Sequence, residues 1–473
     1  MLDFSDLGSC EAVFRHFEDF SRIPHGSGNT DLIADYLVNF AKVRGLEHYR
    51  DSANNVIIKK GATLGYEDRP GVIIQGHHDM VAEKKPDCPK NMEKEGLELY
   101  RDGDFLRAKD TTLGGDDGIA VAYALALLDS KDIPHPALEC VFTSDEEIGL
   151  LGAVALDGAL LRGRLLINVD SDEEGVFTVG CAGGMRSDIT ARLAYGEAVG
   201  VCYRLTLGGF KGGHSGIEID RGRENGIKSL FALLAELDGV RLVSAVGGNA
   251  DNAIPRGCEC VFALEGDAKS LVGNAFDRLF ARMSDIEPDI FYHLERCEGS
   301  SVLTAEDTRR AIELINALPA GVIAMSRDIE GLVQTSLNLG ILRIDGGELS
   351  ASFSVRSAKG TEKRALGDRL KAIAEDFGCG YSERGGYPAW EYREDSHLRE
   401  VMKSVYERMW GKSPEVVIIH AGLECGLFSE KIEGLDCVSI GPDNFDIHTT
   451  EERLSLSSSV RVWEFLLEVL KSV

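Results

Sequence analysis

Short apolar runs alternate with helical patterns along the first 180 residues of this chain, and this alternation constrains its fold more than any other feature. Apolar runs bounded by Gly, Pro or charged residues are typical of buried strands, whereas apolar residues three and four positions apart are typical of helices. Strands that alternate with helices predict an α/β sheet with helices on both faces. The expected strands are residues 56–58, 71–74, 138–143 and 165–169; the expected helices are residues 32–40, capped by Asn29-Thr30 and stopped by Gly45, and 119–128.

The pattern changes after about residue 184 and returns at about residue 385. We therefore predict a discontinuous α/β domain formed by residues 1–184 and 385–473, with an inserted α+β domain at residues 185–384. In the insert, strands are expected at residues 201–207, 240–246, 258–264, 289–295 and 350–356, and helices at residues 223–238, 304–317 and 361–377. After the insert, strands are expected at residues 416–419 and 437–440, and a final helix from about residue 457.

Composition excludes several classes of protein. The net charge of −27, from 51 Lys and Arg against 78 Asp and Glu, argues against nucleic acid or an anionic membrane as the main partner. Solubility accounts for most of this acidity. The chain opens without a basic and apolar leader, and no stretch reaches the roughly 20 apolar residues of a membrane span. The eleven cysteines lack metal-site spacing, which favours free thiols in the cytoplasm.

Residues 75–81, Gln-Gly-His-His-Asp-Met-Val, directly follow a predicted strand. In an extended chain His77 and Asp79 point to the same side. A neutral imidazole is a good ligand for zinc, and a neighbouring carboxylate orients the ring. A lone His-x-Asp is weak evidence, and two ordinary polar residues would give the same pattern.

Two further segments place acids beside glycines or after a strand. Residues 111–118 contain Asp116 and Asp117 just before an apolar helix, where both could simply cap the helix. Asp116 could equally bridge two cations. Residues 143–149 contain Glu146 and Glu147 after a predicted strand, in the crevice where open α/β sheets bind ligands. One glutamate could bind a metal while the other takes a proton from water, although acids at a helix start also need no special role.

The last two segments complete the set. Asp170 lies in residues 168–172, after a fourth predicted strand, and His448 lies in residues 446–452, in the returning α/β part. Each segment alone is weak, but their number, order and placement after strands predict a dinuclear metal site. Histidine and carboxylate ligands favour two zinc ions, with manganese or cobalt as substitutes.

At this point the motifs are similar to a known family. The segments Gly-His-His-Asp-Met-Val, Leu-Gly-Gly-Asp-Asp-Gly, Ser-Asp-Glu-Glu-Ile-Gly, Asn-Val-Asp-Ser and His-Ala-Gly-Leu-Glu-Cys-Gly resemble the aminoacylase/carnosinase family of dinuclear metallopeptidases over essentially the whole chain. The resemblance implies a mixed-sheet metallopeptidase domain and an inserted lid through which two copies dimerise. It also implies hydrolysis of small unblocked dipeptides, Xaa-His (carnosine-like) dipeptides among them, by a water held between two metal ions.

The resemblance implies a role for each acid and imidazole. His77, Asp116 and Asp170 would hold one zinc ion, and Asp116, Glu147 and His448 the other. Asp79 matches the residue that orients His77, and Glu146 matches the general base. In this family aspartate at the position of Asp170 accompanies dipeptidases and aminopeptidases, and glutamate accompanies aminoacylases and carboxypeptidases. Two residues depart from the motifs without removing a ligand: His78, at a variable position, and Asp117, where asparagine is frequent.

Four more residues are expected to bind substrate. His214, in Gly-Gly-His-Ser-Gly, resembles a histidine that stabilises the oxyanion, and Asn252 lies in a matching substrate-contact segment. Arg356 ends Phe-Ser-Val-Arg, where its guanidinium suits a grip on the peptide carboxylate, although a surface ion pair is an alternative. Glu424 could bind the free amino group or cap a helix.

Two other functions remain open from the sequence. The same metal site could deacylate N-acyl amino acids or act as a carboxypeptidase, and Asp170 argues against both. A protein that only binds peptide would be expected to lack a metal ligand or the base, whereas this chain keeps the five predicted ligands, Asp79 and Glu146.

Overall fold

The computed structural model describes residues 2–197, 199–299, 301–327, 329 and 331–473. The chain forms two compact units. The first consists of Met1–Gly180, Tyr392–Ile418 and Leu423–Val473, and the second of Cys181–Glu391 and Ile419–Gly422. Within the described residues, no helix has both the length and the apolar character needed to cross a membrane.

The α-helices of the described residues are α1 (Glu11–Phe20), α2 (Asp31–Arg44), α3 (Gly115–Asp129), α4 (Leu151–Ala155), α5 (Gly226–Leu234), α6 (Ala268–Met283), α7 (Ala305–Ala317), α8 (Gly360–Asp376), α9 (His397–Trp410), α10 (Cys425–Lys431) and α11 (Leu456–Ser472).

The strands are β1 (Glu47–Arg50), β2 (Val56–Lys60), β3 (Val72–His77), β4 (Leu99–Asp102), β5 (Phe105–Ala108), β6 (Leu138–Thr143), β7 (Leu165–Asn168), β8 (Val176–Cys181), β9 (Gly183–Arg192), β10 (Tyr195–Glu197), β11 (Val201–Gly208), β12 (Gly213–His214), β13 (Arg241–Gly247), β14 (Ala253–Ile254), β15 (Cys258–Leu264), β16 (Phe291–Arg296), β17 (Ser301–Leu303), β18 (Gly321–Met325), β19 (Val333–Asp345), β20 (Glu348–Ser357), β21 (Gly380–Tyr387), β22 (Glu415–Ile419), β23 (Asp436–Ser439), β24 (Asn444–Phe445) and β25 (Arg453–Ser455).

The first unit is built on a mixed sheet. Its strands have the order β1-β2-β6-β3-β7-β23-β8-β22 in the described residues. β6, β3, β7 and β23 are parallel to one another, whereas β1, β2 and β8 pair antiparallel to their neighbours. A smaller sheet of order β24-β25-β5-β4 lies in the same unit. Because β23 comes from the C-terminal part, the chain returns into the middle of this sheet.

Both faces of the large sheet are covered. Val72 and Ile74 of β3 pack in a core with α1, α2, α3, α9 and α11, while Ile73, between them, is buried on the opposite face. Successive strand residues point to opposite faces, so a strand apolar at consecutive positions needs cover on both sides. The predicted α/β fold with helices on both faces is confirmed.

The second unit holds an antiparallel sheet of order β16-β11-β15-β13-β19-β20-β9-β21, with β18 paired to β19, in the described residues. The helices α5 to α8 pack on one face of this sheet. On β20, Phe353 and Val355 lie in that core, and the alternating Ser354 and Arg356 therefore point to the other face. This second face carries the polar residues described below.

The structure departs from the sequence-based elements in two respects. Thr30 directly precedes α2, but its side chain does not cap the helix; its hydroxyl instead accepts a hydrogen bond from Asn54. The helices α1, α6 and α9 and the strands β9 and β19 were not predicted. β19 was not predicted because it buries polar side chains such as Ser336 and Asn338, which interrupt the apolar pattern of a buried strand.

Candidate functional site

Three neighbouring parallel strands end at one edge of the first unit's sheet, and each leads into predicted ligands. His77 is the last residue of β3, Glu146 and Glu147 follow β6, and Asp170 follows β7. Since β6, β3 and β7 are adjacent and parallel, their carboxyl ends meet at the same edge. The register of this sheet therefore places the side chains of His77, Glu146, Glu147 and Asp170 at one edge.

Asp116 lies between two histidines. Its Oδ1 is 3.0 Å from Nε2 of His77, and its Oδ2 is 3.1 Å from Nε2 of His448. The Nε2 atom of His77 is also 3.6 Å from Oδ1 of Asp170, and that of His448 is 2.9 Å from Oε1 of Glu147. One carboxylate thus offers an oxygen to each of two donor sets, which is the arrangement of a ligand that bridges two cations.

The donor atoms are close enough to share metal ions. Candidate ligand atoms of His77, Asp116 and Asp170 lie within 4.8 Å of one another, as do those of Asp116, Glu147 and His448. A third such group joins His77, Glu146 and Glu147. The residues fit two metal ions, with nitrogen and carboxylate oxygen donors of the kind that zinc prefers.

The electrostatics of this cluster reflect a shortage of positive charge. Burial lowers the pKa of His77, but hydrogen bonds with Asp116 and Asp170 outweigh it and leave that pKa well above the ordinary value. Hydrogen bonds to Asp116 and Glu147 raise the pKa of His448 to about 10. Burial raises the pKa of Asp170 to about 6. The imidazoles hold protons because the buried carboxylates have no other counter-charge, and a bound metal ion would displace those protons.

Asp79 connects His77 to the loop that follows β6. Its backbone carbonyl lies 3.0 Å from Nδ1 of His77, and its Oδ1 lies 3.5 Å from the same nitrogen. Its carboxylate accepts hydrogen bonds from the backbone N–H of Glu146 at 3.0 Å and of Glu147 at 3.4 Å, and from the hydroxyl of Ser27 at 2.8 Å. Burial would raise the pKa of Asp79, but the hydrogen bond with His77 lowers it to about 2. Asp79 is therefore ionised, and its hydrogen bonds connect His77 with the backbone of Glu146 and Glu147.

Burial dominates the electrostatics of Glu146. Burial raises the pKa of its carboxyl well above the ordinary value; His77 opposes that rise, and Asp170 and Glu424 add to it.

Glu424 is fully buried beneath the strand ends. Its Oε2 accepts hydrogen bonds from Nε2 of Gln75 at 2.5 Å and from the hydroxyl of Thr143 at 2.6 Å. Gln75 in turn accepts a hydrogen bond from Asn168 at 2.7 Å. The Oε1 atom of Glu424 has no protein partner, and burial raises the pKa of this carboxyl to about 7. Glu424 thus keeps one acceptor for a further donor.

In the second unit, β12 and β14 bring His214 beside the turn that carries Asn252. His214 pairs with Ala253, and the backbone carbonyl of Asn252 accepts a hydrogen bond from Ser215 at 2.8 Å. The Nδ1 atom of His214 accepts hydrogen bonds from the backbone N–H of Gly216 and Ile217, both at 3.2 Å. Burial lowers the pKa of His214. A neutral ring whose Nδ1 accepts hydrogen bonds carries its proton on Nε2, which can then donate to a ligand.

Arg356 is buried on the polar face of the second unit's sheet. Its side chain is 9% exposed, its Nη1 donates to the hydroxyl of Tyr387 at 3.1 Å, and its Nε has no protein partner. Ser336 faces Arg356 across β19 and β20, and its hydroxyl lies 2.7 Å from Nε2 of His420. Burial, aided by Arg356, lowers the pKa of His420 to about 4, and Nδ1 of His420 also has no protein partner. Among the described residues, no carboxylate pairs with Arg356, so its surroundings suit an anion.

The turn of Asn252 belongs to the same face. The side-chain amide of Asn338 donates to the backbone carbonyls of Asp251 and Ala253, at 3.0 and 2.8 Å. Asn338 is two residues from Ser336 on β19, and faces Ser354 across to β20. The structure therefore brings Asn252 and Arg356 to one face of one sheet, while the side chain of Asn252 is exposed.

The sequence reasoning missed two residues of these sites. His420 begins the segment that pointed to Glu424, but nothing in that segment shows its contact with β19. Glu452 is 3% exposed and accepts four backbone hydrogen bonds from residues 113–116, yet beside Glu451 it looks like one of two equivalent acids. Only contacts between distant segments distinguish these two residues from their neighbours.

Comparison with known proteins agrees with this geometry. The model of the peptidase family M20/M25/M40 matches residues 73–472. The chain belongs to this family. The cytosol non-specific dipeptidase of Escherichia coli (strain K12) is 37% identical over 486 residues, which cover 100% of this chain and 99% of that protein. These matches confirm the resemblance drawn from the sequence.

Solved structures of family members have the same fold. The aminoacylhistidine dipeptidase from Vibrio alginolyticus matches with a TM-score of 0.91 and 35% identity, covering 98% of this chain and 96% of that one. The aminopeptidase PepT from Bacillus cereus matches with a TM-score of 0.55 and 15% identity, covering 98% of each chain, and shows the fold alone.

Proposed function

We propose that this protein is a dinuclear zinc dipeptidase that hydrolyses unblocked dipeptides, Xaa-His dipeptides among them. The single observation that carries this proposal is the position of Asp116, with one carboxylate oxygen toward His77 and the other toward His448. The names of the relatives from Escherichia coli and Vibrio alginolyticus support the substrate class.

We assign one metal ion to His77, Asp116 and Asp170, and the other to Asp116, Glu147 and His448. Manganese or cobalt would suit the same donors. When bound, the two ions would act as Lewis acids on the scissile carbonyl and lower the pKa of the attacking water. Asp79 is a positioning residue, because its contacts orient His77 and fix the backbone of Glu146.

The chain's own groups move the proton and hold the substrate. Glu146 takes a proton from the attacking water and delivers it to the leaving amine. The Nε2–H group of His214 donates a hydrogen bond to the oxyanion. This hydrogen bond strengthens as negative charge develops on the oxygen. Asn252 contacts the substrate from the same face as Arg356.

The ends of the dipeptide have separate partners. Arg356 binds the terminal carboxylate, and its unpartnered Nε supports this assignment. We add His420, whose Nδ1 has no partner among the described residues and whose ring contacts Ser336, the residue that faces Arg356. Glu424 binds the free amino group through its unpartnered Oε1. An N-acylated amino acid has no charged amino group for Glu424 to bind, so we expect it to be a poorer substrate than an unblocked dipeptide.

We further propose that residues 185–384 act as a lid and a dimerisation domain, and that the enzyme works in the cytoplasm as a homodimer. The Escherichia coli relative is named as a cytosolic enzyme. Among the described residues β16 is an edge strand of the second unit's sheet, and Phe291 on it is half-exposed, which suits pairing with a second copy. Sedimentation equilibrium of the full chain would measure the mass, and a monomer at micromolar concentration would contradict the dimer.

The experiment that tests the function is a hydrolysis panel with zinc-loaded protein. It contains unblocked dipeptides including Xaa-His, N-acetylated amino acids and a longer peptide, each with a chelator control. We expect cleavage of the unblocked dipeptides alone, lost with chelator and restored by zinc. Cleavage of the acetylated compounds alone would assign the chain to the deacylases. It would also contradict the expectation that aspartate at position 170 accompanies dipeptidases.

A further inference from the structure

The segment that carries His448 is the loop of a hairpin. β24 and β25 pair antiparallel, and β25 pairs with β5 of the same small sheet. The loop between them has left-handed backbone at Asp446 and His448, with φ of 54° and 62°. An ion pair between Asp446 and Arg453 closes the loop. His448 is thus held at the tip of a loop rather than at the end of a strand.

Glu452 ends this loop and joins it to the start of α3. One carboxylate oxygen accepts hydrogen bonds from the backbone N–H of Leu113 at 2.7 Å and Gly114 at 3.0 Å. The other accepts from Gly115 at 2.8 Å and Asp116 at 3.4 Å. The neighbouring Glu451 is instead exposed and pairs with Lys85.

Four amides around one carboxylate form a strong local anchor. The first N–H groups of a helix have no partner within the helix, and the helix dipole favours an anion there. The residue before α3, Gly114, is left-handed, and the backbone of Asp116 is not helical, so the helix start does not by itself fix this turn. The Glu452 carboxylate therefore sets the turn from which the Asp116 side chain reaches the two histidines.

We infer that Glu452 is a positioning residue that docks the hairpin loop and places both Asp116 and His448. This inference rests on the metal centre of the proposed function. It also predicts an asymmetry between the two metal ions. His77 and Asp170 lie at or just after strands of the large sheet, whereas His448 depends on the docked loop. Loss of the anchor should weaken the ion held by Asp116, Glu147 and His448 more than the ion held by His77, Asp116 and Asp170.

The test replaces Glu452 by glutamine, whose amide offers a donor group to backbone N–H groups that need an acceptor. The matched control is Glu451→Gln, at the adjacent exposed position, and His448→Ala is the reference for loss of one ion. Zinc affinity is measured by competition with a chromophoric chelator, and bound zinc per chain by elemental analysis. Thermal unfolding of the metal-free proteins is measured in parallel.

We expect wild type and Glu451→Gln to bind two zinc ions. Glu452→Gln should keep one ion at near wild-type affinity and bind the second about 10- to 100-fold more weakly, the range found when partners of metal ligands are removed. Excess zinc should restore kcat with little change in KM. A purely structural role would lower the unfolding temperature without this difference between the two ions.

The outcomes separate the inference from the proposed function. Two unchanged affinities in Glu452→Gln, or equal weakening of both, would overturn the inference and leave the metal centre intact. Failure of the wild type to bind two ions would instead overturn the proposed function. If the glutamine variant does not fold, Glu452→Asp gives the same test, because it keeps the charge but is one methylene too short to reach all four amides.

Discussion

The two units of the chain carry polar clusters with opposite charge deficits. In the first unit, buried carboxylates outnumber the cations of the cluster. Burial raises the pKa of Asp170 to about 6 and the pKa of Glu424 to about 7. Hydrogen bonds with its carboxylate partners raise the pKa of His448 to about 10. In the second unit, burial lowers the pKa of His420 to about 4, and the nearby Arg356 pairs with no carboxylate of the described residues. The first cluster lacks cations and the second lacks an anion, and each shortage identifies the ligand that would relieve it.

The largest expected effect concerns the first cluster. Glu146→Gln should lower kcat by about 10²- to 10⁴-fold, because it removes a proton acceptor without changing the shape of the side chain. Zinc content should remain that of the wild type, as elemental analysis would show. The matched control is Glu173→Gln, at an exposed position of the same unit. Wild-type turnover by Glu146→Gln would show that Glu146 is not the general base.

A smaller effect is expected in the second cluster. Arg356→Lys should raise KM for unblocked dipeptides by about 10- to 100-fold, since lysine keeps the charge but loses the two-pronged grip on a carboxylate. Dipeptide amides, which lack that carboxylate, should be poor substrates of both proteins to the same degree. Arg204→Lys, at a half-exposed position on β11, is the control. An unchanged KM in Arg356→Lys would show that Arg356 does not bind the carboxylate.

The smallest effect is a pH dependence of stability that arises from His420. Its pKa is about 4 in the folded chain, against an ordinary 6.5, so the unfolded chain binds more protons between these values. His420 therefore contributes stability that is present above pH 6.5 and is lost as the pH falls toward 4. Between pH 7 and pH 5 the metal-free wild type should lose about 2 kcal/mol more unfolding free energy than His420→Gln.

Urea unfolding at the two pH values measures this difference. His293→Gln, at an exposed position on β16, should behave like the wild type. Parallel pH curves for wild type and His420→Gln would mean that His420 takes up its proton at the same pH in the folded and the unfolded chain. The surroundings of Arg356 would then carry more positive charge below pH 6.5 than a neutral His420 gives them.

Part of the first cluster could be predicted because His77, Glu146, Glu147 and Asp170 end or follow strands with a clear apolar pattern, whereas Asp116 lies at the start of α3 and His448 lies in a hairpin loop. The strand β3, for example, ends at His77, and parallel neighbours deliver their ends to one edge. Sequence could not show that Glu452 reaches residues 113–116 or that His420 lies against Ser336, since both contacts join distant segments. β19 was missed for the same reason: its buried serine and asparagine make sense only beside the segments that they contact.

The place of β23 in the large sheet has a consequence for synthesis. This strand lies between β7 and β8, although more than half of the chain separates it from them in sequence. A ribosome that adds about 5–20 residues per second needs on the order of 10–50 s to pass from β8 to β23. Until then the sheet has a gap at its centre and the loop of His448 does not exist. The nascent chain therefore cannot complete this sheet, or bring His448 to Asp116 and Glu147, until translation is nearly complete.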